Sequence, residues 1–209
     1  MITRRDFLKV TGVAAAAAAL TACGGSSASS AAASSVASSA AAGSAAASGD
    51  SYTVGICQLV QHEALDAATQ GFIDALNEAL PGQVKFDLQN AAGDSPTCAT
   101  IVNGFVSEGV DLIMANATAA LQAAASATSD IPVLGTSITA YGVALDIDDF
   151  SGTVGGNVSG TSDLADLSKQ ADMITEWFPE TQKVGLLFCS GEPNSAYQVE
   201  VVKAAKKLV

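Results

Sequence analysis

From residue 51 onward the sequence predicts an α/β fold, a parallel sheet with helices on both faces. Two observations carry that reading. Short β-branched, apolar runs alternate with longer stretches whose apolar residues recur at helical spacing, and the connections between them are only a few residues long. A third observation says where the fold starts: the first 50 residues are cationic, then apolar, then almost wholly Ser, Ala and Gly, a composition with too little to bury.

Taken in order, residues 52–59 (YTVGICQL) read as a buried strand. Residues 64–80 place Leu65, Ala68, Phe72, Ile73, Leu76 and Leu80 on one helical face and Asp66, Asp74 and Glu78 on the other, and Pro81-Gly82 ends the helix. Residues 84–88 are the second strand. A second helix opens with Asp94 or Ser95 as N-cap and Pro96 in its first turn, runs to Glu108 and stops at Gly109. Residues 111–115 (DLIMA) form the third strand, 119–129 the third helix and 132–134 the fourth strand. Three successive strand–helix–strand units imply right-handed crossovers between parallel neighbours. Past residues 141–147 the pattern loosens through 148–157. A helix over 164–178, a strand over 184–189 and a helix from Asn194 then begin a second α/β lobe, left incomplete at residue 209.

The front of the chain is processing and tether. Residues 1–9 carry Arg4, Arg5 and Lys9, and an apolar run of about eleven residues follows, too short for the ~20 that span a bilayer. Thr3-Arg4-Arg5-Asp6-Phe7-Leu8-Lys9 resembles a twin-arginine signal, and the same Phe-Leu-Lys context also occurs in signals of the general export pathway. Leu20-Thr21-Ala22-Cys23 resembles a bacterial lipobox, against the plainer reading of Cys23 as an incidental thiol. The expected organisation is a signal peptide over 1–22, a lipidated Cys23 with a flexible tether over 23–50, a first lobe over 51–150, and a hinge with the start of a second lobe over 151–209. The expected location is extracytoplasmic, anchored to the cell membrane through the lipid on Cys23.

Composition excludes several classes. Net charge is −12, from 9 basic and 21 acidic residues, so the basic stripe that nucleic acid requires is missing. Four cysteines in 209 residues, no Gly-X-Y period and no sustained heptad exclude a disulfide miniprotein, collagen and a coiled coil. Catalysis has little support: the chain holds one His, no Gly-x-Ser-x-Gly elbow, no phosphate-cradling Gly-x-x-x-x-Gly-Lys and no His/Cys pair at metal spacing. Asp146, Asp148 and Asp149 lack the Gly and distal Glu of a calcium loop. No metal and no cofactor is expected. Cys57, Cys98 and Cys189 fall in two predicted strands and a helix, where nothing demands a disulfide and an oxidising compartment permits one.

Three separated motifs carry a resemblance: the segment Val54-Gly55-Ile56-Cys57-Gln58-Leu59-Val60-Gln61-His62-Glu63 with its continuation to Phe72, the segment Gly155-Gly156-Asn157-Val158-Ser159-Gly160-Thr161-Ser162-Asp163, and Lys183-Val184-Gly185-Leu186-Leu187-Phe188 followed by Gly191-Glu192-Pro193-Asn194-Ser195. Over residues 53–209 the chain resembles ABC-transporter substrate-binding lipoproteins of the tryptophan/tyrosine type. The resemblance implies a type I periplasmic-binding-protein fold, two α/β lobes with a ligand between them, and members of roughly twice this folded length, so the chain resembles an N-terminal fragment. It also implies an importer component that captures a small molecule, an aromatic amino acid favoured, and hands it to ABC permease subunits. The alternative is a ligand-sensing module of the same fold that reports to a membrane signalling partner.

In an open parallel sheet the crevice lies outside the carboxyl ends of the strands. Those positions are Gln58, Gln61 and His62, then Asn90, then Asn116 and Thr118, then Thr136 and Ser137. Hydroxyls and N–H groups near Thr118 or Thr136-Ser137 suit a carboxylate, and Asp146, Asp163 or Glu63 an ammonium. The resemblance adds Ser162 and Asp163 at one helix start and Asn194 and Ser195 at another. All four also read as ordinary N-caps, and His62 also reads as a cap of the first helix.

Overall fold

A computed structural model describes residues 51–205. The expected signal peptide over 1–22 and the expected tether over 23–50 lie outside the described residues. The elements run β1 (Tyr52–Gln58), α1 (Glu63–Ala79), β2 (Val84–Asn90), α2 (Ser95–Glu108), β3 (Leu112–Asn116), α3 (Thr118–Ala127), β4 (Val133–Ile138), α4 (Tyr141–Ala144), β5 (Val158–Ser162), α5 (Leu167–Trp177) and α6 (Pro193–Ala205). The five strands form one parallel sheet in the order β2-β1-β3-β4-β5.

Both faces of the sheet are covered, which is why β1 and β3 read as continuous apolar runs instead of alternating ones. On one face Val54, Ile56 and Met114 pack against Phe72, Ile73 and Leu76 of α1. On the other, Cys57, Ile113 and Ala115 meet Val102 and Phe105 of α2 and Leu121 and Ala124 of α3. The period of two along β1 makes this division: residues 54 and 56 face α1, residues 55 and 57 face α2. At Gly55 a Cβ would lie 2.6 Å from the Phe105 ring, so glycine there lets α2 seat directly on the strand.

Local signals set the helix ends. The choice of cap for α2 falls to Asp94, whose Oδ2 accepts from Thr97 N at 3.0 Å, and Gly109 closes the helix in the left-handed region at φ 69. The expected helix start at residue 164 moves to Leu167. Ser162 Oγ is already engaged, donating to Thr139 O and accepting from Leu164 N, and Asp166 caps α5 instead through Lys169 N.

Two further expectations change. Residues 158–162 form a fifth strand that the sequence pattern hides, because an edge strand of sequence VSGTS buries little and shows no apolar alternation. Residues 184–189, predicted as a strand, form no ladder among the described residues. A strand is held by its neighbour's backbone groups, and none lies alongside. Leu187 is accordingly fully exposed.

Tyr141 joins the last two strands. Its hydroxyl donates to Gly135 O of β4 at 3.0 Å and to Thr161 O of β5 at 3.3 Å. Burial, and then the Asp163 carboxylate nearby, push its phenol up to about 12. The neutral form is the one that fits, so the unfolded chain ionises first as pH rises. Stability from this group is complete below pH ~10 and declines by about 2 kcal/mol on the way to pH ~12. Chemical denaturation at pH 9 and pH 12 should register that fall, and Tyr141→Phe should remove this part of it.

Candidate functional site

The strand order reverses direction between β1 and β3, since β2 lies on one side of β1 and β3 on the other. Such a switch point leaves a crevice at the carboxyl ends of the two strands. A pocket of about 240 Å³ occupies that place, between Leu59, Val60 and His62 after β1, Ala117 to Ala119 after β3, and the segment from Gly191 to Asn194 that leads into α6.

Of the residues chosen from the sequence, His62, Thr118 and Asn194 line this pocket. His62 also caps α1, its Nδ1 accepting from Ala64 N at 3.2 Å. In the neutral ring the hydrogen then sits on Nε2, leaving a donor on the opposite edge. The cap reading of this residue is observed, and the cap leaves the ring's other edge at the pocket.

Thr118 opens α3, and its surroundings are unusual. The preceding Ala117 provides no side-chain cap and stands at φ 87, ψ 161, a region that costs a residue with a Cβ on the order of 1–3 kcal/mol. Among the described residues no protein group accepts from the N–H groups of Thr118, Ala119 or Ala120, and the Thr118 hydroxyl, on a residue only 6% exposed, has no partner either. The result is a helix N-terminus with its donors unspent, bordering the pocket.

Gln58 and Asn116 do not line the pocket; their amides turn into a hydrogen-bond network with Thr69. Gln58 Nε2 donates to Val60 O at 2.9 Å and Asp66 Oδ1 at 2.6 Å, while its Oε1 accepts from Thr69 Oγ1 at 2.7 Å. Asn116 Nδ2 donates to Leu65 O at 2.8 Å and Thr69 Oγ1 at 2.9 Å. The network pins the first turns of α1 to the ends of β1 and β3, with Thr69 as its centre. Among the described residues, Asn116 Oδ1 is a fully buried acceptor left without a partner.

The remaining choices fall elsewhere. Thr136 shares a contact of 3.4 Å with Thr161 between β4 and β5, and Ser137 follows at φ 56. Asp146 is an exposed turn residue at φ 52 just past α4. Ser162 ends β5 and Asp163 follows it, Asp163 N donating to Ile138 O. Ser195 donates to Glu192 Oε2 at 3.0 Å in the first turn of α6. None of these lines the pocket. The sequence reading passed over Glu192, the carboxylate that does, together with the apolar wall of Leu59, Val60, Leu65 and Pro193. Glu192 was visible only as a neighbour of Pro193, which opens the helix.

A parallel sheet in this order, covered on both faces and carrying its pocket at the switch point, is a doubly wound α/β lobe, and the structures it superposes on make it a lobe of the type I periplasmic-binding-protein fold. Residues 53–208 match the family of ABC transporter substrate binding proteins, and the chain belongs to that family. It is 39% identical over 153 residues to a tyrosine-binding protein of Clostridioides difficile (strain R20291), covering 70% of this chain and 43% of that protein. It superposes with a TM-score of 0.70, at 36% identity, on an ABC domain from Streptococcus pneumoniae in complex with L-Trp, covering 76% of this chain and 54% of that one. A ligand-free, open substrate binding protein with adhesive properties from Clostridium difficile matches at 36% identity and TM-score 0.56, over 73% and 52% of the two chains. The chain thus spans about half the length of these relatives. The family is one of binding proteins and not of enzymes.

Residues 1–21 match a twin-arginine translocation signal sequence. This decides the export route that the sequence left open and corrects the expected location. The arginine pair and apolar run are a signal for carriage into the extracytoplasmic space, the matched segment ends before Cys23, and no finding supports a lipid on that residue or an anchor in the membrane.

Proposed function

We propose that the chain is the substrate-binding component of an ABC importer that captures an amino acid, aromatic favoured, and delivers it to the permease. In this reading residues 51–150 are the first lobe and 151–209 the hinge and the start of the second, with the ligand between them. The observation that carries it is the uncapped start of α3. Free N–H groups and the Thr118 hydroxyl suit a carboxylate, and across the pocket Glu192 suits an ammonium group. An α-amino acid presents those two charges a few ångströms apart, and its side chain would lie along Leu59, Val60, Leu65 and Pro193. A volume of about 240 Å³ is below the ~300–1,000 Å³ of drug-sized sites and fits a small ligand.

The relatives support the ligand class, one named for tyrosine and one solved with L-Trp. Closure by contacts from both sides would be the state a permease reads.

Calorimetric titration of the chain with L-Trp, L-Tyr, L-Phe and the branched-chain amino acids tests this. One aromatic amino acid should bind at one site per chain, with tryptamine, which lacks the carboxylate, at least tenfold weaker than tryptophan. Absence of heat with every amino acid overturns the assignment.

A further inference from the structure

The core contains two thiols that the binding site does not use. Cys57 is the second-last residue of β1, Cys98 lies in the first turns of α2, and both are fully buried. Their meeting follows from the packing of these two elements. Gly55 faces Phe105 closely enough that a Cβ would stand 2.6 Å from the ring. Cys57 is two residues further along the same face of β1, and Cys98 is seven residues earlier on the same stripe of α2. The helix returns antiparallel to the strand in a strand–helix–strand unit, so both steps lead toward the carboxyl end of β1. There the two thiols are neighbours inside one continuous core cluster, close enough that each perturbs the other's proton affinity.

We propose that Cys57 and Cys98 form a disulfide in the exported protein, tying the start of α2 to the carboxyl end of β1. The chain carries an export signal, and the extracytoplasmic space lacks the thiol pool that keeps such pairs reduced inside the cell. The balanced step is exchange with an external disulfide R–S–S–R. One cysteine thiolate attacks it and releases RS⁻, and the second thiolate attacks the mixed disulfide and releases the other RS⁻. One protein S–S bond forms, R–S–S–R is reduced to two RSH, and the two thiol protons pass to the leaving groups. Cys98 is the first attacker. Its neighbour Cys57 holds its thiol below the ordinary range, while that same contact and burial push Cys57 up. Ser95, three residues before Cys98, lines the pocket, so the start of α2 is the edge of the core nearest solvent.

Cleavage before aspartate provides a direct readout on the wild-type chain, because it releases residues 50–65 and 94–110, each with a single cysteine. Protein collected outside the cell, quenched in acid, denatured and alkylated without reductant should yield these two peptides joined, and separate after reduction. Reduction of the intact protein should lower its melting temperature by about 10 °C, since the closed loop spans some 40 residues. The same treatment should leave Cys98→Ala unmoved. Alkylated, unlinked Cys57 and Cys98 in the exported chain overturn the proposal, as does a melting temperature indifferent to reductant.

Discussion

Gly160→Ala should cost the fold at least ~3 kcal/mol, on the order of 10 °C in melting temperature for a domain of this size. Gly160 sits in β5 at φ 150, where L side chains are strained. An added Cβ would also press on Gly135 O, Gly135 N and the Tyr141 hydroxyl, all closer than van der Waals contact allows. Two of those atoms are backbone of the neighbouring strand, so relief requires β4 and β5 to part. Parting them breaks the bond from Tyr141 to Thr161 O and the ladder over residues 158–160. The register already shifts between Gly135 and Ile138, which leaves the edge strand little further pairing to retain. Urea denaturation of wild type and variant measures the effect, and a change under 1 kcal/mol refutes this account of the joint.

Glu192→Gln should weaken binding of the amino-acid ligand about 10- to 100-fold with no comparable change in stability. A charge-assisted hydrogen bond to a ligand ammonium contributes roughly 1.5–3 kcal/mol, and the amide loses the charge that makes it so. The substitution is conservative toward the fold, because the amide oxygen still accepts from Ser195, which now donates to the carboxylate at 3.0 Å. A ligand analogue without the amino group, such as indole-3-propionate, should bind both proteins alike. Calorimetry with tryptophan and this analogue separates the outcomes. Equal loss for both ligands points to a displaced α6, and no loss for either removes Glu192 from the site.

Most of the elements were legible because hydrophobic periodicity is a local property. The helix over 64–80 became α1 within a residue at each end, and Asp94, Pro96 and Gly109 marked the bounds of α2 by chemistry that operates within one turn. The exceptions are the elements whose existence depends on a neighbour. Strand β5 has one partner and four exposed residues, so nothing in VSGTS announces it. The run over 184–189 has the right residues and no strand beside it among those described.

Site residues divide the same way. The rule that ligands lie beyond the carboxyl ends of parallel strands pointed to His62 and Thr118, and both border the pocket. It pointed equally to Gln58 and Asn116, whose amides turn inward to Thr69, 11 and 47 residues away in sequence and adjacent only after α1 has packed. Thr136 and Ser137 end a strand two positions removed from β1, too far along the sheet to share its crevice.

By itself, then, the sequence determined the alternation of strands and helices and the export signal at its front, because each is written in composition, spacing or a short motif. The tertiary structure alone decided which strand ends face one another. Pairing β1 with β2 on one side and β3 on the other opens the crevice between β1 and β3, brings Glu192 and Asn194 to it from well over a hundred residues downstream of β1, and gathers Cys57 and Cys98 into one core cluster. Side chains a hundred residues apart have no local signal of their contact. It arises only when burying two apolar faces of one sheet forces the helices onto opposite sides.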